Sequence, residues 1–249
     1  MNMNARRMAK PPTILITGTS SGLGRAAAID LLAAGCRVIA HTRTAGFNPV
    51  RHAAIHVTGD LSDADAVRAL ARQVNAIGRM DAVIHNAGTA HGEEVRAVNV
   101  IAPYLLCCLL KRPARAIFIS SAMHHRGDPE CLERFPDGCD YADSKLLLTT
   151  LMATCARLWP DTVCSAVDPG WVPTRMGGTI APDDLHLGHQ TQTWLATTQD
   201  QAAQQSGAYW RHMQRQPSHP LTNDPHFQTR LLDILAAHTG TDLRHTSQP

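Results

Sequence analysis

The sequence has few lysines and few aromatic residues. Its 249 residues include 4 tryptophans, 4 phenylalanines and 3 tyrosines, and lysine occurs only at 10, 111 and 145. No apolar run reaches the roughly eighteen residues that a membrane-spanning helix needs. Residues 1–11 also lack the apolar segment of a signal peptide. We therefore expect a cytoplasmic protein without a membrane partner, in which residues 1–11 form a flexible arm.

A strong net charge is missing as well. The formal net charge is +2, and the arginines are spread along the chain rather than clustered. A surface that binds nucleic acid usually shows a basic patch or stripe. We therefore expect no nucleic-acid partner.

The cysteines and histidines lack the spacing of a metal site. The 7 cysteines contain no C-x-x-C motif, and no H-x3-H pair among the 14 histidines lies on one face of a predicted helix. Structural and catalytic metal sites commonly use such closely spaced ligands. We expect reduced thiols and no bound metal.

Strands and helices alternate along a chain that is long enough for one large domain. Hydrophobic residues make up 44% of the sequence and charged residues 18%, which is an ordinary globular balance. The predicted strands cover residues 13–17, 36–41, 53–58, 81–85, 114–120 and 162–167, and the predicted helices cover residues 25–34, 63–75, 93–111 and 141–159. Apolar strands separated by helices favour a parallel sheet. We predict a single α/β domain over residues 12–249, a Rossmann-type doubly wound parallel β-sheet with helices on both faces.

A glycine-rich turn follows the first predicted strand and leads directly into a helix. Glycines allow the backbone to approach a phosphate closely, and the helix N-terminus offers N–H groups and the positive end of the helix dipole. The alternative is an ordinary turn without a ligand. Cofactor contacts are predicted at Gly18, Ser20, Ser21, Gly22, Leu23 and Gly24.

The second predicted strand ends at His41-Thr42-Arg43, where this type of fold meets the adenosine ribose of a dinucleotide. A carboxylate at this point would bind the ribose hydroxyls of NAD, whereas an arginine accommodates the 2′-phosphate of NADP. The segment has no carboxylate, and Arg43 is well placed. NADP(H) is therefore favoured over NAD(H), with a solvated surface arginine as the alternative.

Polar and small residues also follow the third and fourth predicted strands. Asp60 and Leu61 come after the third strand, and Asn86, Ala87 and Gly88 come after the fourth. Asp, Asn and Gly are common in plain turns. Because ligands bind at the carboxyl ends of the strands in open α/β sheets, we assign these five residues to the cofactor site.

A tyrosine and a lysine stand four residues apart at the start of a predicted helix. Tyr141 is one of 3 tyrosines in the chain, and Lys145 is one of its few lysines. Residues at positions i and i+4 share one helix face. The ammonium can therefore lie under the phenol and favour its ionised form. The pair is a candidate proton-transfer centre.

From about Thr13 to Leu235 the sequence resembles the short-chain dehydrogenase/reductase family. The motifs that carry this resemblance are Thr17-Gly18-x3-Gly22-x-Gly24, Asn86-Ala87-Gly88, Asn99, Ser121, Tyr141-x3-Lys145 and Pro169-Gly170-Trp171-Val172-Pro173-Thr174. Within the family it is most similar to retinol-dehydrogenase-like and carbonyl-reductase members, judged from Ser120-Ser121-x-x-His124, Ser144-Lys145-Leu146 and Ser206-Gly207-Ala208-Tyr209-Trp210.

The resemblance implies a catalytic role for four side chains. Tyr141 would be the general acid or base, Lys145 would lower the pKa of its phenol, and Ser121 would hold the substrate oxygen. Asn99 would hold a water that links Lys145 to solvent. Two alternatives stay open: Asn99 is a helix-packing amide, or Ser120 rather than Ser121 faces the site, since side chains alternate along a strand.

The resemblance also extends the cofactor site. Thr174 would bind the nicotinamide carboxamide, Asp60 would meet the adenine, and residues 86–88 would support the strand end beside the ribose. Tyr141, Lys145, Pro169, Gly170 and Val172 complete the predicted cofactor contacts. The chemistry would then be hydride transfer by the nicotinamide.

Residues 121–140 and 170–225 are predicted to form the substrate pocket. Its candidate lining residues are Met123, His124, His125, Phe135, Trp171 and Met176. The segment between Gly88 and Asn99 is shorter than in many relatives of the resembled family, so a homo-oligomer through the neighbouring helices is possible but not assured. An apolar pocket would suit a lipophilic ketone or aldehyde.

Three candidate functions of different classes are weighed against the sequence motifs, which favour the first. The first is an NADP(H)-dependent oxidoreductase that interconverts a carbonyl and an alcohol, with Tyr141 as general acid/base and a small molecule as substrate. The second is an NADP(H)-binding sensor with little catalysis, which the complete set of four catalytic candidates disfavours. The third is an epimerase or dehydratase, which the glycine spacing and the short C-terminal region disfavour.

Overall fold

The protein is described by a computed structural model over residues 10–46, residue 50 and residues 55–245. Most of the predicted N-terminal arm, residues 1–9, lies outside the described residues. The same holds for the predicted first two residues of the third strand, 53 and 54. These two predictions therefore stay predictions.

One sheet of eight strands forms the centre of the described chain. Its strands are β1 Thr13–Ile16, β2 Arg37–Thr42, β3 Ile55–Thr58, β4 Ala82–His85, β5 Arg115–Ile119, β6 Val163–Asp168, β7 Ala208–Arg211 and β8 Gln214–Gln216. They lie in the order β3-β2-β1-β4-β5-β6-β7-β8, and only the last pair is antiparallel. Between β1 and β4, which are parallel, the order in which successive strands are added to the sheet reverses, and this is the point where ligands bind in doubly wound folds. The predicted fold class is confirmed.

Helices cover both faces of this sheet. They are α1 Gly22–Ala33, α2 Ala64–Ile77, α3 Ala102–Leu109, α4 Tyr141–Leu158, α5 Leu185–Thr197 and α6 Pro225–Thr239. Successive side chains of a strand point to opposite faces. Leu15 of β1 accordingly packs with α2, α3, α4 and α6, while Ile14 and Ile16 pack with α1 and α5.

Two helices differ from the sequence prediction near the site. The first begins at Gly22 instead of residue 25, so the last glycines of the turn form its first turn. The helix predicted over residues 93–111 is a π-helical turn at Ala97–Ile101 followed by α3, and it ends at Leu109. Single π-helical turns insert an extra residue into a helix and often occur at functional sites. Here the turn contains Asn99.

The helix that begins at Tyr141 is covered by the chain's own C-terminal segment. Every residue from Ala142 to Cys155 is buried in the single chain. Leu231, Leu232 and Leu235 of α6 pack into the same apolar cluster as α4. A homo-oligomer stays a prediction, and it would have to use a surface other than this helix.

Candidate active site

The glycine-rich turn is held at the end of β4 by hydrogen bonds. Thr17 Oγ1 accepts from the backbone N–H groups of Asn86 and Ala87, each at 3.0 Å. The Asn86 amide donates to the carbonyl oxygen of Thr17 at 2.9 Å. The turn is therefore fixed by side chains of two neighbouring strand ends before any ligand binds.

Two glycines of the turn leave no room for a side chain. A Cβ at Gly18, whose φ is +73°, would lie 2.9 Å from the Cα of Ala87. A Cβ at Gly24 would lie 2.3 Å from Asn86 Nδ2. Ser21 caps the helix without a side-chain hydrogen bond, and the first turn of α1 contains no acidic residue. Its N–H groups and dipole are thus suited to an anionic group such as a phosphate.

A cleft of about 560 Å³ opens above these strand ends. It is lined by Gly18, Ser20, Ser21, Gly22, Leu23, Gly24, Arg43, Asp60, Leu61, Asn86, Ala87, Gly88 and Thr174, all predicted cofactor contacts, by Met176, a predicted substrate-pocket residue, and by His41, Thr89, Ala90, His91, Glu94, Val98 and Arg175, which were not predicted as site residues. Its volume falls in the usual range of small-molecule and cofactor sites. The unpredicted residues directly follow or precede the recognised motifs, so extending each motif by a few positions would have found most of them.

His41 connects the turn to the next two strands. Its Nδ1 accepts from the N–H of Gly18 at 3.1 Å, and its Nε2 donates to the carbonyl oxygen of Gly59 at 2.9 Å. Burial lowers the pKa of the imidazole, partly offset by the bond to Gly59 and the charge of Asp60. A neutral His41 with its proton on Nε2 satisfies both bonds.

Arg43 and Asp60 face the same cleft from neighbouring strand ends. Hydrogen bonds from Ser62 lower the pKa of Asp60 first, and the charge of Arg43 adds to the effect. Asp60 Oδ1 accepts from Ser62 N at 2.9 Å and from Ser62 Oγ at 2.7 Å. The carboxylate therefore stabilises the start of its own loop, while the Arg43 side chain is exposed beside the cleft.

The segment after β6 divides into a packed part and a part that faces the cleft. Pro169 and Val172 contact α5, because a Cβ at Gly188 would lie 2.7 Å from Val172 Cγ1 and 3.0 Å from the Pro169 carbonyl. The N–H of Gly170 donates to Asp168 at 2.9 Å. These three residues do not line the cleft, whereas Thr174 does and lies across from Gly22.

Tyr141 and Lys145 begin α4 beside the end of β5. Asp140 caps this helix, and Asp143 completes a reciprocal capping box. Lys145 Nζ lies 5.4 Å from the centre of the Tyr141 ring and donates to the carbonyl oxygen of Ile119 at 2.8 Å. The predicted sharing of one helix face is thus visible as an ammonium against the phenol ring.

Lys145 approaches the cleft at Gly88. A Cβ at Gly88 would lie 3.5 Å from Lys145 Nζ. Gly88 lines the cleft, whereas Tyr141 and Lys145 do not. Lys145 therefore stands next to the cleft, and Tyr141 is joined to the cleft through Lys145.

The two serines after β5 point in different directions. Ser120 is 1% exposed, and its hydroxyl lies 2.7 Å from that of Thr149 in the core. The Ser121 side chain lies close enough to Tyr141 to lower the pKa of the phenol, against the larger effect of burial, which raises it. The geometry thus brings Ser121, and not Ser120, to the tyrosine hydroxyl.

Asn99 joins the cleft to α4 through its amide. Its Nδ2 donates to the carbonyl oxygen of Thr89 and to Ser144 Oγ, both at 2.9 Å, and its Oδ1 accepts from the N–H of Thr89 at 2.9 Å. A Cβ at Gly88 would lie 3.3 Å from that oxygen. The Asn99 amide therefore fixes the loop beside Lys145. These contacts agree with the alternative in which Asn99 is a packing amide.

Burial dominates the electrostatics of the pair. Desolvation lowers the pKa of Lys145 to about 8. Desolvation also raises the pKa of Tyr141 above 10; the Ser121 hydrogen bond opposes this rise, and the charge of Asp168 adds to it. The sequence predicts that Lys145 favours the ionised phenol, whereas in this structure the net effect is a raised pKa of Tyr141. The burial that places the ammonium under the ring also removes water from the hydroxyl.

The predicted lining residues of the substrate pocket divide into exposed and buried side chains. Trp171 and Met176 are 52% and 45% exposed, and Met123 is 36% exposed. His124 is fully buried beneath them, with Nδ1 2.8 Å from the carbonyl oxygen of Ser121. Phe135 packs against His238 of α6 instead, with ring centres 5.7 Å apart.

Three side chains of metal-binding types, one aspartate and two histidines, meet on the other side of the sheet. Within the described ranges, Asp30, His186 and His189 place one ligand atom each within 4.8 Å of one another. His189 Nε2 lies 2.7 Å from Asp30 Oδ2, and its Nδ1 lies 2.8 Å from the Leu185 carbonyl oxygen. These contacts fasten α5 to α1. The expectation of no metal stays a prediction.

Among the described helices none has both the length and the apolar character to cross a bilayer. The predicted cytoplasmic location stays a prediction.

Comparison with known proteins connects this geometry to a family. The model of the short chain dehydrogenase family matches residues 12–185. The short-chain dehydrogenase chry4 of Gibberella zeae is 34% identical over 254 residues, which cover 92% of this chain and 98% of that protein.

Two solved structures share the fold. Carbonyl reductase Sniffer of D. melanogaster superposes with a TM-score of 0.67 at 22% identity and covers 84% of this chain and 100% of its own. An active-site complex of Pseudomonas aeruginosa RhlG with NADP gives a TM-score of 0.63 at 24% identity, over 80% of this chain and 94% of its own. With the family match over residues 12–185, these findings identify the chain as an oxidoreductase of the short-chain dehydrogenase family.

Proposed function

We propose that this protein is an NADP(H)-dependent oxidoreductase that interconverts a carbonyl compound and an alcohol, with Tyr141 as the general acid/base. The observation that carries the proposal is the cluster of Lys145, Tyr141 and Ser121 beside the cleft: Lys145 Nζ lies 3.5 Å from the position of a Cβ at Gly88, which lines the cleft, and 5.4 Å from the centre of the Tyr141 ring, whose phenol is close to Ser121. A cofactor bound along this cleft would present its reactive end to these side chains.

The residues that face the cleft fit a dinucleotide phosphate. The N-terminus of α1 and the turn before it would hold the pyrophosphate. Arg43 would pair with a 2′-phosphate, since no carboxylate occupies the end of β2. Thr174, which lines the cleft next to Gly22, would hold the carboxamide. The bound nicotinamide would supply or accept the hydride.

The chain's own residues then control the proton. In reduction, Ser121 holds the carbonyl oxygen by a hydrogen bond, and Tyr141 donates its proton to the same oxygen. Because burial raises the pKa of Tyr141, the phenol is protonated at neutral pH and ready to act as an acid. Lys145, with a pKa of about 8, is mostly charged at pH 7 and stabilises negative charge that develops on the phenol.

The surface next to this centre is apolar. Trp171, Met176 and Ile180 are 52%, 45% and 80% exposed on the segment that follows β6. Exposed apolar side chains at the mouth of a pocket mark a binding surface for apolar ligands. The substrate is therefore proposed to be a lipophilic ketone or aldehyde, or the matching alcohol.

Tyr141→Phe tests this function because it removes the hydroxyl and keeps the ring. We expect turnover of ketones and aldehydes with NADPH to fall by at least about a hundredfold, while NADPH still binds, as measured by quenching of tryptophan fluorescence. The matched control is Tyr104→Phe, whose hydroxyl bonds to the carbonyl oxygen of Thr241 far from the cleft. Retained turnover in Tyr141→Phe would contradict the mechanism. Tight NADPH binding by a wild-type protein that turns over no carbonyl or alcohol would favour the sensor instead.

A further inference from the structure

The three tyrosines of this chain differ in how their hydroxyl groups are satisfied. Tyr104 is fully buried, and its hydroxyl donates to the Thr241 carbonyl at 2.6 Å and accepts from the Leu243 N–H at 3.3 Å. Tyr141 lies close to Ser121 in the proposed active site, where that side chain lowers the pKa of the phenol. Tyr209 is only 5% exposed, yet its hydroxyl has no hydrogen-bond partner among the described residues. Such orphaned buried hydroxyls are rare in folded proteins.

Tyr209 lies next to the proposed active site. It stands in β7 opposite Ala166 of β6, on the face of the sheet that α4 covers. Its ring centre is 4.5 Å from that of His124, and His124 in turn bonds to the carbonyl oxygen of Ser121. The charge of Asp168 raises the pKa of both Tyr141 and Tyr209, after the larger effect of burial, so both phenols lie near one carboxylate.

His124 and Asp168, two polar side chains near Tyr209, contact other groups. His124 Nδ1 donates to Ser121, and Nε2 accepts from the N–H of His219 at 3.0 Å, so neither ring nitrogen is left for the phenol. Asp168 accepts from the N–H of Gly170 at 2.9 Å and lies 3.9 Å from the guanidinium of Arg211. The fold therefore keeps a buried donor beside the reacting side chains and assigns no internal acceptor to it.

We propose that the Tyr209 hydroxyl binds a second oxygen atom of the substrate, so that the preferred substrates are carbonyl compounds that carry a further acceptor oxygen near the reacting carbonyl. Keto esters, hydroxy ketones and diketones belong to this class. The inference rests on the proposed function, because it places the reacting carbonyl at Ser121 and Tyr141. A site that leaves a buried donor unpaired discriminates against substrates without the matching acceptor.

The test uses Tyr209→Phe and two matched substrate series. Ethyl pyruvate, ethyl acetoacetate and ethyl levulinate carry an ester at increasing distance from the ketone, and unbranched methyl ketones of equal chain length carry none. Wild type is expected to have a lower KM for at least one keto ester than for its matched ketone. In Tyr209→Phe the KM for that ester rises roughly tenfold, while kcat changes little and both constants for the simple ketones stay constant. The spacing of the affected ester gives the distance between the two oxygens.

Stability separates a binding role from a structural one. Tyr209→Phe removes a hydroxyl without an internal partner, so its melting temperature should equal or exceed that of wild type. Tyr104→Phe removes a satisfied hydroxyl and should melt lower, with no difference between the substrate series. If Tyr209→Phe melts as low as Tyr104→Phe, or if both series change equally, the proposed subsite is wrong while the oxidoreductase function stands. If wild type reduces neither series nor any other carbonyl with NADPH, the function and the subsite both fail.

Discussion

The two halves of the site differ in how their polar groups are satisfied. The cofactor half comprises residues 17–24, 41–43, 60–61 and 86–88, and its side chains bond to the backbone of neighbouring strand ends. Thr17, His41 and Asn86 each do so. The substrate half comprises residues 121–125, 168–173, 176–180 and 209, and it holds exposed apolar side chains and an unpaired buried hydroxyl.

This difference indicates which half depends on a ligand. The cofactor half is fixed before binding, so it can bind one constant molecule without rearrangement. The substrate half leaves Tyr209 and the apolar surface around Trp171 to be covered by a partner. We infer that substrate specificity resides in residues 121–125, 168–173, 176–180 and 209.

Lys145 lies where the two halves meet, and its removal should have the largest effect. Lys145→Met replaces a buried ammonium by an apolar chain of similar length, so charge that develops on Tyr141 loses its stabilisation. We expect kcat for carbonyl reduction to fall by about 10²–10³-fold. In wild type, the pKa of about 8 predicts that reduction declines as pH rises above 8, since the ammonium loses its proton there. Steady-state kinetics between pH 6 and 10 measure both.

Lys145→Arg is the matched control for this prediction. The guanidinium stays charged throughout that range. Whatever activity Lys145→Arg retains should lose the decline above pH 8. A wild-type profile that stays flat to pH 10 would show that the charge of Lys145 does not control the reaction.

The cofactor half was also the more predictable one from the sequence. Glycines with fixed spacing, Asn86 and Arg43 stand directly at strand ends, and the structure brings them to one cleft. Their function depends on local backbone geometry, which a short motif encodes. The start of α1 was wrong by three residues because the glycines that approach the phosphate site also continue into the helix.

The substrate half depends on contacts that no local pattern encodes. His124 bonds to the backbone of His219, 95 residues further along the chain. The segment of β7 that contains Tyr209 was recognised only as a family motif, and α5, α6 and β8 were not predicted. The sequence left open whether Ser120 or Ser121 faces the site. The structure distinguishes them because Thr149 of α4 contacts the Ser120 hydroxyl in the core. Tertiary packing decided these cases.

His124 tests how far the substrate half is stabilised without a ligand. Burial lowers the pKa of its imidazole from 6.5 to about 4, with smaller effects from its neighbouring histidines. Between these two values the unfolded chain binds a proton that the folded chain does not, so stability is lost as pH falls from 6.5 towards 4. At pH 4.5 the loss from this group should be about 2 kcal/mol relative to pH 7. Urea unfolding at both pH values measures it.

A pair of asparagine variants isolates this contribution. His124→Asn keeps a polar side chain but cannot bind a proton, so the difference between the two pH values should shrink by that amount. His226→Asn changes an exposed histidine of α6 and should leave the difference as in wild type. Equal pH dependence in all three proteins would show that His124 is not held neutral in the folded state.

Arg43 gives the smallest effect and the sharpest separation of the two halves. Arg43→Ala removes the proposed partner of a 2′-phosphate, so we expect NADPH to bind about tenfold more weakly, with little change for NADH, which lacks that phosphate. Arg175→Ala is the control, because Arg175 lines the same cleft beside Thr174 and should affect both cofactors alike. Fluorescence titration gives the four dissociation constants. Equal weakening of NADPH and NADH by Arg43→Ala would contradict the NADP(H) preference. A changed KM for the carbonyl substrate in Arg43→Ala would mean that the cofactor half and the substrate half are coupled. Arg43 lies at the end of β2, whereas Ser121 follows β5 and Tyr141 begins α4.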